Sequence, residues 1–184
     1  MYSYLKYLLG YSDEYSKNDD ETLETYQEIK SKKLEISTIS DKIIFTQPRI
    51  VIHNPTNFYY LSLIKEENEW SVHGLWPQNS VQKYPQFCNK QASFNLSKLN
   101  SIIDKLNEVW YSNREKNEDF WKHEYLKHGT CNFNNLNELD YFKKTLELYY
   151  KSLEKDLPDK YYNDNTKKCL IPVTKEWIFF TISK

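Results

Sequence analysis

The chain has 184 residues, a net charge of −1 and an aromatic fraction of 16%. This length suits one globular domain with a substantial core. The near-zero charge excludes a protein that coats long nucleic acids, because such proteins need a strongly basic surface for their phosphate contacts. No stretch approaches the ~20 apolar residues of a membrane span, so we expect no membrane partner.

Residues 1 to about 40 differ in composition from the rest of the chain. Asp13 to Lys33 is dense in charge and has apolar residues at helical spacing, which indicates an amphipathic helix. The apolar start, Met1 to Gly10, lacks the basic region and small-residue cleavage site of a secretory signal. We interpret residues 1–40 as a partly helical N-terminal extension.

The remaining sequence predicts strands and helices that do not alternate regularly. Phe58 to Ile64 is the clearest strand, because it combines β-branched, aromatic and leucine residues in an apolar run. Leu96 to Val109 and Phe142 to Leu153 each show one apolar helical face. Further short strands are predicted at residues 43–45, 50–52 and 177–183. This irregular order favours an α+β fold over a doubly wound sheet.

Two segments about fifty residues apart contain most of the candidate chemistry. The first is Trp-Ser-Val-His-Gly-Leu-Trp-Pro at 70–77, and the second is Phe-Trp-Lys-His-Glu-Tyr-Leu-Lys-His-Gly-Thr-Cys at 120–131. Together they contain three of the four histidines and two of the three glycines. Titratable histidines beside a glutamate and a lysine suit acid–base chemistry on a phosphate.

The second segment is predicted to be helical from Glu118 to His128, because Gly129 fits a helix C-terminus. At ~100° per residue, its four ionisable side chains fall within an arc of about 140°. These side chains are His123, Glu124, Lys127 and His128. Ordinary ion pairing on a solvated helix explains such a cluster equally well when it is considered alone.

A zinc site is rejected on the spacing of the histidines. The metalloprotease motif needs two histidines at i and i+4, so that both face one metal. His123 and His128 lie at i and i+5, and the cationic Lys127 between them disfavours a dication. His53, beside Asn54 and Pro55, matches no motif and is interpreted as a turn or surface residue.

The two segments resemble the active-site segments of the ribonuclease T2 family, the transferase-type acid ribonucleases that cleave RNA through a 2′,3′-cyclic phosphate. The resemblance begins near Asn57 and covers roughly two thirds of the chain. It implies a central, mainly antiparallel sheet flanked by helices, and a ribonuclease T2-like catalytic domain over residues 41–184. Family members are usually secreted or lysosomal, whereas no signal is visible here, so an intracellular location stays open.

The resemblance also implies an acid–base histidine pair. RNA supplies its own nucleophile, the 2′-hydroxyl, so the protein needs a base for that hydroxyl and an acid for the leaving 5′-oxygen. Carried over residue by residue, His128 is the base and His73 is the acid. Histidine suits both roles because its reference pKa of ~6.5 allows either protonation state.

The other matched residues assist this pair. His123 would hold the phosphate, Lys127 and Glu124 would stabilise the charged transition state, and Trp76 would offer a ring beside a base or sugar. The expected partner is single-stranded RNA. DNA lacks the 2′-hydroxyl and should not be cleaved, and no metal or other cofactor is expected.

The resemblance implies one disulfide, between Cys88 and Cys131. Cys169 matches half of a second family disulfide whose partner is missing here, so we expect a free thiol available for pairing between molecules. The segment Lys65–Glu69 is shorter than the matching family loop, which removes contacts that influence base preference.

The leading hypothesis is therefore a metal-independent endoribonuclease with broad base tolerance. The rival is a catalytically idle relative that acts as an RNA-binding or protein-interaction module. A third possibility, a metal-dependent phosphodiesterase, lacks the carboxylate cluster that a two-metal site needs.

Overall fold

A computed structural model describes residues 50–66 and 69–183 of the chain. The predicted extension over residues 1–40 and the predicted strand over 43–45 lie outside the described residues. Among the helices that are described, none has the length and apolar character to cross a membrane.

Six strands and four α-helices build the described part of the chain. The strands are β1 (Val51–His53), β2 (Phe58–Glu66), β3 (Glu69–Gln78), β4 (Tyr162–Asn163), β5 (Lys168–Val173) and β6 (Thr181–Ser183). The helices are α1 (Ile103–Val109), α2 (Asn117–Lys127), α3 (Glu138–Glu154) and α4 (Leu157–Tyr161). Short 3₁₀ segments cover Leu96–Ile102 and Gly129–Cys131.

Four of these strands form an antiparallel sheet in the order β3-β2-β5-β4, while β1 and β6 pair in parallel. The core contains Leu61 and Leu63 of β2, Leu75 of β3, and Phe142 and Leu146 of α3. The predicted α+β class is therefore confirmed. The strand predicted at Phe58–Ile64 is confirmed as β2, which continues to Glu66.

Two predicted elements differ in detail from the structure. The helix predicted over Leu96–Val109 begins as a 3₁₀ segment and becomes α-helical only at Ile103. Four of its apolar residues are buried: Leu99, Ile102, Leu106 and Val109. The terminal strand predicted from Trp177 is limited to β6. Trp177 has a left-handed backbone, with φ at 67°, which interrupts an extended strand.

Candidate active site

His73 is the extra residue of a β-bulge in the middle of β3. Ser62 of β2 lies opposite Gly74, and the next residue, Leu63, lies opposite Val72. His73 therefore has no partner residue on β2. A bulge of this kind interrupts the alternation of side chains along a strand and re-aims the residues that follow it.

The bulge places His73 and Trp76 on the same face of the sheet. In a regular strand, residues three apart point to opposite faces. Here Val72 and Leu75 are both fully buried in the core, whereas His73 and Trp76 are partly exposed and line one cleft. Their rings contact each other edge to face, with centroids 5.0 Å apart.

Two buried aromatic side chains fix the backbone of the bulge. The Trp110 indole donates a hydrogen bond of 3.0 Å to the His73 carbonyl, and the Tyr141 hydroxyl donates one of 2.8 Å to the Leu75 carbonyl. Both rings are fully buried. The backbone at His73 is therefore held in place by side chains of the core.

Helix α2 supplies the second half of the cleft. The observed helix, Asn117–Lys127, agrees with the predicted one to within a residue at each end. His128 is its C-cap, and its N–H still donates to the Glu124 carbonyl at 2.9 Å. His128 therefore remains on the face that also presents Glu124.

Gly129 is required for a reason other than the helix C-cap that its sequence position predicts. No left-handed φ is recorded there, so it is not a left-handed helix cap. A Cβ at Gly129 would instead overlap the Tyr125 ring, which packs against Tyr141 and Phe142. The glycine allows the chain to turn closely past this ring into the 3₁₀ segment.

Glu124 is a buried carboxyl at the centre of the cleft, only 2% exposed. Its Oε2 accepts a hydrogen bond of 2.8 Å from the Trp76 indole, and its Oε1 lies 3.6 Å from His73 Nε2. Burial raises the pKa of Glu124 to about 7, although the Trp76 hydrogen bond and the Lys127 charge both lower it. Glu124 therefore titrates in the range usually occupied by histidine.

His73 and Glu124 lie at ion-pair distance, slightly further apart than a hydrogen bond allows. Burial, assisted by positive charges led by that of Lys168, lowers the pKa of His73 to about 4. Between the pKa of His73 near 4 and that of Glu124 near 7, the pair together holds one proton. If the two side chains approach to hydrogen-bond distance, transfer of that proton from Glu124 to His73 gives an imidazolium beside a carboxylate.

His128 lies at a buried end of the cleft. It is 4% exposed, and its ring stacks on Trp76 at 5.2 Å with an interplanar angle of 28°. Burial, with the nearby Lys127 and His123 charges, lowers its pKa to about 3. Its Nδ1 is buried and lacks a hydrogen-bond partner within the described part of the chain. His128 is accordingly neutral over most of the pH range.

All six residues predicted from the two segments line this one cleft, which has a volume of about 780 Å³. His123 is exposed at its rim, beside Phe87 at 6.3 Å, and Lys127 is partly buried. Several other residues that were not predicted also line the cleft: Gln78, Tyr84, Tyr111, Arg114, Phe120 and Lys168. Apart from Phe120, which belongs to the second segment, they come from segments without a motif, and no local signal identified them.

A disulfide joins Cys88 to Cys131, as the resemblance implies. It connects the loop that contains Tyr84 to the turn after α2, where the Phe87 N–H also donates to the Lys127 carbonyl at 2.9 Å. The expected accessibility of Cys169 is wrong. Its thiol is free but buried beside the Pro158 carbonyl, so it is not available for pairing between molecules.

The fold is similar to those of solved ribonuclease structures. Human RNase T2 superposes with a TM-score of 0.55 at 18% identity, over 68% of this chain and 89% of that one. RNase NT, solved in complex with 5′-AMP, gives a TM-score of 0.54 at 22% identity, over 70% of this chain and 91% of that one.

Sequence comparison gives the family directly. The sequence model of the ribonuclease T2 family matches residues 50–167, and the chain belongs to this family. Ribonuclease DdI of Dictyostelium discoideum is 42% identical over 87 residues, which is 46% of this chain and 39% of the relative. The chain thus spans well under half the length of the curated relatives it matches.

Proposed function

We propose that the protein cleaves single-stranded RNA without a metal ion. In this reaction the 2′-hydroxyl attacks the adjacent phosphorus, the bond to the 5′-oxygen breaks, and the products are a 2′,3′-cyclic phosphate and a 5′-hydroxyl. One observation supports this proposal above the others. The rings of His73 and His128 contact Trp76 and line the same cleft, so one phosphate between them can meet two proton-transfer groups.

His128 is the general base in this proposal. A base must be unprotonated before the reaction, and burial keeps the pKa of His128 at about 3, so its ring is neutral in mildly acidic solution. No described protein group accepts or donates a hydrogen bond at its Nδ1. His128 is therefore unprotonated before the reaction and can take the proton of the 2′-hydroxyl.

His73 is the general acid, and Glu124 supports it. The acid must deliver a proton to the leaving 5′-oxygen, yet burial alone leaves His73 mostly neutral above a pH of about 4. Glu124 keeps a proton 3.6 Å away up to a pH of about 7. As the leaving oxygen gains negative charge, the imidazolium becomes the favoured form, and the Glu124 carboxylate stabilises it.

Lys127 provides positive charge for the phosphorane, and His123 holds the phosphate. Lys127 follows His123 by one helical turn, and both side chains line the cleft on the exposed side of Glu124. The charge of Lys127 also lowers the pKa values of both His73 and His128, so its ammonium acts on the centre of the cleft. Cations placed in advance stabilise charge that develops in the transition state.

Tyr84 is a stronger candidate than Trp76 for stacking on a base. The Trp76 ring already stacks on His128, and its N–H is committed to Glu124. Tyr84 lies beside His128 at 6.1 Å, is 50% exposed and lines the cleft. An exposed ring accepts any base, which is consistent with broad base tolerance.

The test is incubation of the full chain in EDTA with RNA and DNA oligonucleotides of one sequence. The proposal predicts that the RNA is cut and that the DNA is not, because only RNA has the nucleophile. Cleavage that requires an added divalent ion, or cleavage of the DNA, would contradict the proposal. Binding of RNA without any cleavage would support the idle interaction module instead.

A further inference from the structure

Lys168 is a cationic residue of the cleft that belongs to neither active-site segment. It is the first residue of β5, and the next residue, Cys169, points into the core. Since successive side chains of a strand alternate between faces, Lys168 lies on the face that carries His73. Lys168 is exposed and lines the cleft. Ile64 of the intervening strand β2 also lines the cleft.

Arg114 approaches the same end of the cleft from the loop between α1 and α2. The Ser112 hydroxyl accepts the Arg114 N–H at 3.2 Å, which orders this loop beside the cleft, and the Arg114 side chain is exposed. Strand pairing places Lys168 at the His73 end of the sheet, because Cys169 pairs with Leu63 and Leu63 pairs with Val72. Asn113, next to Arg114, donates to Glu66 at the same end of the sheet, and the charges of Lys168 and Arg114 both help to lower the pKa of His73. Both cations therefore lie towards the His73 side.

The two cations are not neutralised within the described residues. The neighbouring Lys167 lies 3.4 Å from Asp164, and Asn113 donates to the nearby Glu66 at 2.6 Å. Arg114 and Lys168 make no such ion pair among the residues that the structure describes. Glu66 and Glu115 also line the cleft, but neither carboxylate forms an ion pair with Arg114 or Lys168 among the described residues. Both cations therefore remain available for a ligand.

The direction of the RNA follows from the proposed roles of the histidines, on which this inference rests. His73 protonates the leaving 5′-oxygen, so the leaving nucleotide lies on the His73 side of the scissile phosphate. We infer that Lys168 and Arg114 bind the next phosphate of the RNA, the one attached to the 3′-oxygen of the leaving nucleoside. An arginine fork and a flexible ammonium are both effective phosphate donors.

Two short substrates isolate this contact. ApA contains only the scissile phosphate, whereas ApAp also has a 3′-phosphate on the leaving adenosine. Wild type should cleave ApAp with a kcat/KM roughly tenfold higher than that for ApA, the size expected for hydrogen bonds to a charged group. Lys168→Ala and Arg114→Ala should each reduce this ratio several-fold. The ratio is the readout because both charges also act on His73, so the rate with ApA alone can change in these variants.

Lys175→Ala is the matched control, because it removes an exposed lysine that does not line the cleft and should keep the wild-type ratio. Equal rates for the two substrates with wild type, or a preference that survives in both cleft variants, overturn the inference. In either case cleavage of ApA continues, so the proposed function stands. A wild type that cleaves neither substrate overturns the proposed function, and the phosphate subsite with it.

Discussion

The Glu124 carboxylate occupies the space that a side chain at Gly74 would need. A Cβ built on Gly74 would overlap Glu124 Oε2 and would lie 2.6 Å from Trp76 Nε1. Gly74 immediately follows the bulged His73, so the strand and the helix are in close contact beside the proposed acid. The glycine is needed here for close approach and not for an unusual backbone angle.

Gly74→Ala should therefore impair catalysis more than folding. The added methyl group must displace a carboxyl that is 2% exposed and hydrogen-bonded to Trp76, which separates Glu124 from His73. Because misplacement on the order of 1 Å can cost ~10²-fold in rate, we expect a loss of that order in kcat. RNA cleavage and urea unfolding of the same variant give the two effects. Activity near that of wild type would show that Glu124 can move without consequence.

His73→Ala and His128→Ala should each reduce kcat/KM by ~10²–10⁴-fold, the usual contribution of a general acid or base. His53→Ala is the matched control, since His53 is exposed at the end of β1 and does not line the cleft. Rates of RNA cleavage for the three variants decide the assignment. A cleft variant within tenfold of wild type would remove that histidine from the pair.

The pH dependence of kcat/KM follows from the three perturbed groups. His128 must be neutral, so activity rises as the pH increases through about 3. The pair of His73 and Glu124 must hold its proton, so activity falls as the pH increases through about 7. A bell-shaped profile with its maximum on the acidic side of neutrality is expected.

Glu124→Gln should shift only the descending limb of that profile. Without the carboxyl, His73 alone must hold the proton, and its pKa is about 4, so activity should fall at a lower pH than in wild type. Glu118→Gln makes the same change at an exposed position in the first turn of α2 and should keep the wild-type profile. Superimposable descending limbs for wild type and Glu124→Gln would show that Glu124 does not store the proton.

Removal of the disulfide should lower both stability and activity. The bond between Cys88 and Cys131 closes a loop with a sequence separation of 43, for which chain entropy gives roughly 4 kcal/mol. The double variant Cys88→Ala/Cys131→Ala also releases the loop of Tyr84 from the turn after His128. The double variant should have the same urea unfolding midpoint and the same rate of RNA cleavage as wild type that has been reduced with dithiothreitol. An unchanged unfolding midpoint in both samples would contradict this account.

Local patterns predicted the elements that hold the site. The apolar run of β2 and the helical face of α3 are strong periodic signals, and both elements occur where they were predicted. The helical spacing in the second segment correctly placed Glu124 and His128 on one face of α2, because a helix fixes the angle between its side chains.

Features that depend on contacts between distant segments could not be predicted from the sequence. Simple alternation along β3 places His73 and Trp76 on opposite faces, and only the pairing with β2 reveals the bulge that unites them. Lys168 lies at the cleft because of the order of the strands in the sheet, and Arg114 because of the path of its loop. Neither feature leaves a local pattern in the sequence. The burial of Cys169 likewise depends on the packing of α4 against β5.

The most direct test of the central claim uses a DNA oligonucleotide that contains one ribonucleotide, incubated with the full chain in EDTA. We expect a single cut, at the phosphate on the 3′ side of that ribonucleotide. The 5′ fragment should end in a 2′,3′-cyclic phosphate, which mass spectrometry detects as one water lighter than the open phosphate, and the other fragment should begin with a 5′-hydroxyl. Cleavage at the deoxynucleotides, or a 5′-phosphate on the second fragment, would contradict attack by the 2′-hydroxyl.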